Sequence, residues 1–210
     1  MANNDTPFGL RPIRHRNGAP YNGSANPYYI NASYATALFI GDPVIRVAGG
    51  SNAAEVEAPS AGVFDIGTLP EVELAPVTDG TKITGVIVGF GANPNSLETV
   101  YSPASTEAVA WVCDDPDIVF EIQADGAVPA ASVGLNAQMI ATHAGSTITG
   151  LSGRELNTTS DAPAADASNQ LRIVRAINRT DNDTTLTHAK VEVMINQHTE
   201  NQGTVGGLGI

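Results

Sequence analysis

This chain is short of the residues that most small proteins use for chemistry. Its 210 residues include one cysteine, Cys113, one tryptophan, Trp111, and two lysines, Lys82 and Lys190. A single cysteine excludes an internal disulfide and a cysteine-based zinc site. No stretch approaches the 18 apolar residues of a membrane-spanning helix. Residues 1–30 lack the apolar run of a secretory signal, so the expectation is a protein made and used without a secretory pathway. Sequon matches such as Asn157-Thr158-Thr159 then carry little weight. Catalytic motifs are missing too. There is no Gly-x-Ser-x-Gly elbow and no repeat of solenoid period. The glycine-containing run Gly89-Phe90-Gly91-Ala92-Asn93-Pro94-Asn95 lacks the Gly-Lys-Ser/Thr ending of a phosphate loop, and a plain turn is the simpler reading.

What is present points to strands and turns. Glycine and proline are plentiful, at 21 and 13 residues, while charged residues make up 15%. That balance suits short strands joined by many turns, and the chain is too apolar to remain disordered. The net charge is −12, and residues 51–153 hold thirteen acids against Lys82 alone. Such an acidic body repels phosphate backbones, which argues against nucleic-acid binding. It suits a basic partner, or the basic N-terminal segment of another copy.

The chain centres on residues 108–125. Ala108–Val112 reads as a buried strand, Asp114-Asp115-Pro116-Asp117 as a turn and Ile118–Gln123 as the next strand. The aspartates raise the question of a divalent cation. The fixed Gly and Glu offsets of a calcium loop are not met, however, and aspartate is an ordinary turn residue. Paired carboxylates such as Asp115 and Glu121 could serve a hydrolase only at a separation that sequence does not set. Cys113, among carboxylates, reads as a small buried hydrophobe.

Residues 1–36 read as an extended arm, because Pro7 and Pro12 block helix. The arm carries Arg11, Arg14, His15 and Arg16 and four of the five tyrosines. Docking through Pro7, Phe8, Leu10, Arg11, Arg14, Arg16 and Tyr21, onto the body or onto a neighbour, is the expectation. A free tail is the alternative. Removing residues 1–20 is expected to leave the body folded and to weaken assembly, and the arm's contact through Arg11, Arg14 and Arg16 is expected to be salt-sensitive. Residues 37–200 read as one β-rich domain. Its expected strands are 37–40, 44–47, 63–68, 81–90, 108–112, 118–123, 135–142, 171–177 and 189–195, the last two paired as a hairpin. Gly49-Gly50-Ser51-Asn52 reads as a loop, and Pro59, Pro70 and Pro76 confine their neighbourhood to short or edge strands. Pro129 and Gly134 bracket one short helix. Residues 143–170 read as a long polar loop in which His143 is a surface or hydrogen-bonded histidine. His188 and His198 flank the last strand at a spacing that does not suit a zinc helix. Residues 201–210 read as a flexible glycine-rich tail. The fold class is therefore all-β, a compact barrel or sandwich with one short helix and an extended N-terminal arm.

Three stretches carry a family resemblance. They are Thr6-Pro7-Phe8-Gly9-Leu10-Arg11-Pro12 with Asn17-Gly18-Ala19-Pro20-Tyr21; Asp115-Pro116-Asp117 with Phe120-Glu121-Ile122-Gln123-Ala124-Asp125; and Leu171-Arg172-Ile173 with Asp181-Asn182 and the closing strand to Asn196. Together they resemble the head decoration, or cement, proteins of tailed bacteriophages. The resemblance implies a structural virion protein, made in the bacterial host's cytoplasm and located on the capsid surface. Its partners would be the major capsid protein and other copies of itself, as a dimer or trimer, with no nucleic acid and no membrane. It implies no catalytic residue, no cofactor and no metal ligand. The alternative is a tail- or fibre-associated β module that binds carbohydrate or another virion protein.

Overall fold

The computed structural model describes residues 3–58, 62–93 and 96–200. Fourteen strands and a single 3-10 turn make up the regular structure of these residues. In chain order the strands are β1 (Arg11–His15), β2 (Asn26–Ile30), β3 (Pro43–Ser51), β4 (Val56–Ala58), β5 (Gly62–Phe64), β6 (Pro70–Leu74), β7 (Gly85–Phe90), β8 (Ala108–Cys113), β9 (Ile118–Gln123), β10 (Asn136–Ala137), β11 (Met139–Ile140), β12 (Glu155–Leu156), β13 (Leu171–Ala176) and β14 (Lys190–Ile195). Five of them close a barrel in the order β2-β6-β3-β7-β8, and five more form a sheet in the order β1-β9-β14-β13-β10. Two further pairs, β4-β5 and β11-β12, stand beside them. The chain is all-β, and among the described residues no helix is long and apolar enough to cross a membrane.

Strand alternation lets barrel and sheet share walls. On β7, Ile87 faces the barrel interior with Tyr28, Ile30, Val44, Val72 and Val112, while its neighbour Val86 joins the core under the sheet. On β8, Val112 and Cys113 divide in the same way. Successive side chains of a strand point to opposite faces, so two consecutive apolar residues serve two cores. This is why both strands read as continuous apolar runs. A third, smaller cluster of Tyr29, Val56, Ala58, Leu69 and Val109 lies under the β4-β5 hairpin.

Within residues 3–36, β1 and β2 are built into the body, joined by a segment that turns back so that His15 N–H donates to the Ala19 carbonyl. β1 pairs with β9 across the register Arg11↔Glu121 to His15↔Ile118. β2 pairs with β8 along its whole length and closes the barrel against β6. Tyr28 and Tyr29 bury their rings and keep their hydroxyls bonded, Tyr28 donating to Asp114 at 2.8 Å and Tyr29 to Glu107 at 2.9 Å. Leu10, 1% exposed, belongs to the main core, and its N–H donates to the Gly41 carbonyl. Gly9 and Gly41 cross there at positive φ. A Cβ on Gly9 would stand 2.4 Å from the Gly41 oxygen, and one on Gly41 would stand 2.4 Å from the Phe8 oxygen. Neither position has room for a side chain.

Several boundaries differ from the sequence reading. β3 continues through Gly49, Gly50 and Ser51, where a loop was expected, because Gly50 lets Glu71 pack directly over the strand. The strand expected at 63–68 stops at Phe64 and gives way to a turn in which Thr68 N–H donates to the Asp65 carbonyl. Pro70 opens barrel strand β6, since a first residue needs no ladder donor. The strand expected at 135–142 breaks into β10 and β11 at Gln138, whose side chain accepts from Gln170 N–H and donates to Asp79. The helix expected between Pro129 and Gly134 is the 3-10 turn Ala130–Ser132, with Gly134 at φ +88°. Pro59 and the 201–210 tail lie outside the described residues.

Candidate functional site

The sequence-derived interface set divides once it is placed. Phe8 and Leu10 are buried in the body, and Tyr21 packs partly against the main core, so these three are committed internally. Arg11 lies over the Phe8 ring at 4.4 Å. Arg14 bonds Glu192 at 2.5 Å. Arg16 is exposed and stands 3.8 Å from Asp117. The positive charge of the N-terminal segment thus meets the chain's own acids. Pro7 is half-buried.

The arginines solve a problem set by the sheet register. Glu121 and Glu192 face each other across β9 and β14, and like charges directly opposite repel. Glu192 is held by Arg14 and by Arg175, which reaches both carboxylate oxygens at 2.8 Å. Glu121 stands 2.9 Å from Arg179. Burial alone would raise the Glu192 pKa, but the hydrogen bonds from Arg175 and Arg14 override it and hold the carboxyl below its ordinary range.

The acidic turn is likewise occupied by local partners. Asp114 accepts from Asn26 and Tyr28, Asp115 accepts from the Asp117 N–H, and His15 lies 3.2 Å from Asp115. Cys113 is buried beside it, and burial pushes its thiol up to about 11.

A different region has the features of a contact surface. A groove of about 440 Å³ runs between β4 and the segment 99–109. Its floor is apolar, with Val56, Ala58, Phe90 and Val109, and its lining includes Glu55, Glu57 and Glu107. Burial, and then the Glu107 carboxylate, push the Tyr29 hydroxyl up to about 12, so it remains a donor that fixes Glu107. Large apolar side chains project from several loops. The β4-β5 hairpin and the turn after it carry Val63 and Ile66, and the loop entering the opposite wall carries Leu97 and Val100. Gly150 lies against Val100, on the loop that carries Ile148. Ile148 is 90% exposed, Leu97 80% and Ile66 66%. The loops beneath are held firmly. Phe39 stacks on Tyr101 at 5.2 Å, Leu38 pairs with Ser102 and Ile40 with Leu151. Buried Asp42 accepts from Ser152 Oγ and Phe39 N–H, and burial raises its pKa above the usual carboxylate range.

One polar cluster could hold a metal. A donor atom from each of Asp5, His143 and Glu155 lies within 4.8 Å of the others. Sequence reading gave none of these a joint role, because they are brought together from positions 5, 143 and 155 by the fold alone. His143 is half-exposed and hydrogen-bonded, as its setting in the chain suggested. No protein-family model matches the chain, and no curated protein and no solved structure matches it.

Proposed function

We propose that the protein is a structural virion protein of the decoration or cement type, which binds the outer surface of a phage head and stabilises the lattice of the major capsid protein. The observation that supports this reading is the set of large apolar side chains, Val63, Ile66, Leu97, Val100 and Ile148, that loops of the β body expose. Grouped exposed hydrophobic residues mark interaction surfaces, and loops on a rigid scaffold are where such surfaces are built. The acidic lining of the groove favours a partner segment that brings basic and small apolar residues. The protein acts by binding and performs no catalysis. Copies that bind the assembled lattice, and not its dissociated parts, stabilise it by mass action. Contacts repeated over the shell, or within a dimer or trimer, add through multivalency.

The test is co-sedimentation of the purified protein with bare phage heads, with its solution mass measured in parallel. The expected result is saturable binding at a fixed ratio to the major capsid protein. The double variant Leu97→Asp, Ile148→Asp should keep its melting temperature and lose binding by at least about tenfold, since two apolar anchors are replaced by charge. Binding retained by that variant would overturn these exposed apolar loops as the contact surface. No binding to heads by the parent protein would overturn the decoration role and favour a tail- or fibre-associated module.

A further inference from the structure

The second cluster concerns a different capacity, and it starts from a buried carboxylate. Glu155, on β12, is fully buried, and among the described residues its one ion-pair contact is to a histidine. Its Oε1 accepts from Gln123 Nε2 at 3.0 Å, its Oε2 accepts from Thr142 Oγ1 at 3.1 Å, and Oε2 lies 2.9 Å from His143 Nδ1. Nδ1 therefore carries the proton. The other ring nitrogen, Nε2, points at Asp5 Oδ2 across 3.6 Å. That is too long for a hydrogen bond. Nε2 and the Asp5 carboxylate thus face each other at a spacing that a ring proton or a bound cation would satisfy. The second Asp5 oxygen, Oδ1, is fixed by Gln123 at 3.2 Å and lies 3.5 Å from His188 Nδ1. That His188 nitrogen is shut off from solvent and makes no hydrogen bond.

We propose that this cluster is a binding site for a divalent transition-metal ion of the zinc class. Asp5 and His143 Nε2 bind the ion, Glu155 holds His143 from its Nδ1 side, and the remaining coordination positions are left to solvent. Ions of this class sit about 2.0–2.2 Å from nitrogen and oxygen ligands, which spaces neighbouring ligand atoms by roughly 3.3–3.6 Å. The Asp5–His143 separation of 3.6 Å falls at the edge of that range. A carboxylate behind a ligating histidine orients the ring and raises its basicity. The mixed imidazole and carboxylate donors suit zinc, cobalt or nickel better than calcium or magnesium. The ion acts as a clip. Asn3 donates to the carbonyls of Asp183 and Thr187, and Thr6 N–H donates to Gln123, and a metal at Asp5 further fastens residues 3–6 to His143.

The experiment uses untagged full-length protein treated with chelator and dialysed, then titrated with Zn²⁺ by calorimetry and with Co²⁺ by visible absorption. One ion per chain is expected, with a Kd near or below about 1 μM, low-symmetry cobalt bands and a rise in melting temperature. His143→Gln and Asp5→Asn should each weaken binding at least about tenfold and abolish the zinc-induced rise, with the metal-free melting temperature measured for each. His15→Gln, outside the cluster, should bind as the parent does. Absence of saturable binding below about 1 mM, or binding and stabilisation retained by His143→Gln and Asp5→Asn, would overturn the assignment.

Discussion

Truncation of Leu10 separates a strand that belongs to the core from an arm that rests upon it. Leu10 is 1% exposed and packed in the cluster that contains Phe120, Ile118 and Leu171. Leu10→Ala removes the branched end of the side chain and leaves a cavity that the surrounding strands fill only in part. Buried leucine truncations of this kind cost about 3 kcal/mol or more. For a chain of this size each kcal/mol lowers the melting temperature by roughly 2–4 °C, so a fall of about 6–12 °C is expected. Circular dichroism during heating measures the fall. Urea unfolding should give a lower midpoint at unchanged slope, because the surface exposed on unfolding is nearly the same. Arg16→Ala is the control, with a side chain 74% exposed and a single long ion pair, and it should change stability by less than about 0.5 kcal/mol. A fall of under about 2 °C for Leu10→Ala would refute the reasoning, since the core would then be complete without the N-terminal segment.

Three further outcomes follow from the same packing. Gly9→Ala places a Cβ 2.4 Å from a backbone oxygen at φ +70°, and a loss on the order of 3 kcal/mol is expected in urea titrations, whereas Gly18→Ala, at φ +92° with open space around it, should lose only about 1 kcal/mol. Glu192→Gln should destabilise by about 2 kcal/mol at neutral pH, between the values for exposed and buried ion pairs. The folded pKa of Glu192 lies below its ordinary 4.5, so this stabilisation is complete above that value and is lost as the pH falls through the folded pKa; the gap between parent and variant measured by thermal unfolding should therefore close on acidification. Cys113 is 1% exposed with its thiol pushed up to about 11 by burial, so a thiol-specific chromogenic disulfide should react with it in denaturant and leave the native protein unlabelled. Rapid native labelling would contradict its buried position.

The strands that sequence made legible are those whose burial is simple. β8, β9 and β14 show as apolar runs or clean alternation, because each contributes to a core on at least one face. β2 was hidden by Asn26-Pro27, which reads as a turn, although Pro27 sits in the ladder opposite Trp111. β4 and β6 were hidden by their shortness and their prolines. The groove could not be read at all, since its two walls, residues 55–58 and 99–109, are far apart in sequence and its character depends on which loops the barrel brings together. The same holds for Asp5, His143, Glu155 and His188, whose spacing follows no motif. What sequence did contain was chemistry waiting for a partner, such as the arginines of residues 11–16, whose partners Glu192 and Asp117 the fold supplies.

The placement of β1 also constrains the order in which the molecule can be built. Its ladder partner β9 begins more than a hundred residues downstream, Arg14 and Glu192 are 178 positions apart, and Asn3 and Asp183 are 180 apart. β1 leaves the ribosome long before its partners and is therefore among the last strands to find its place. Until residues near 192 emerge, Phe8 and Leu10 have no completed core to enter and remain open to other chains. Pairings of such long sequence separation fold slowly, and the waiting segment is the part of the chain that most needs protection from premature association.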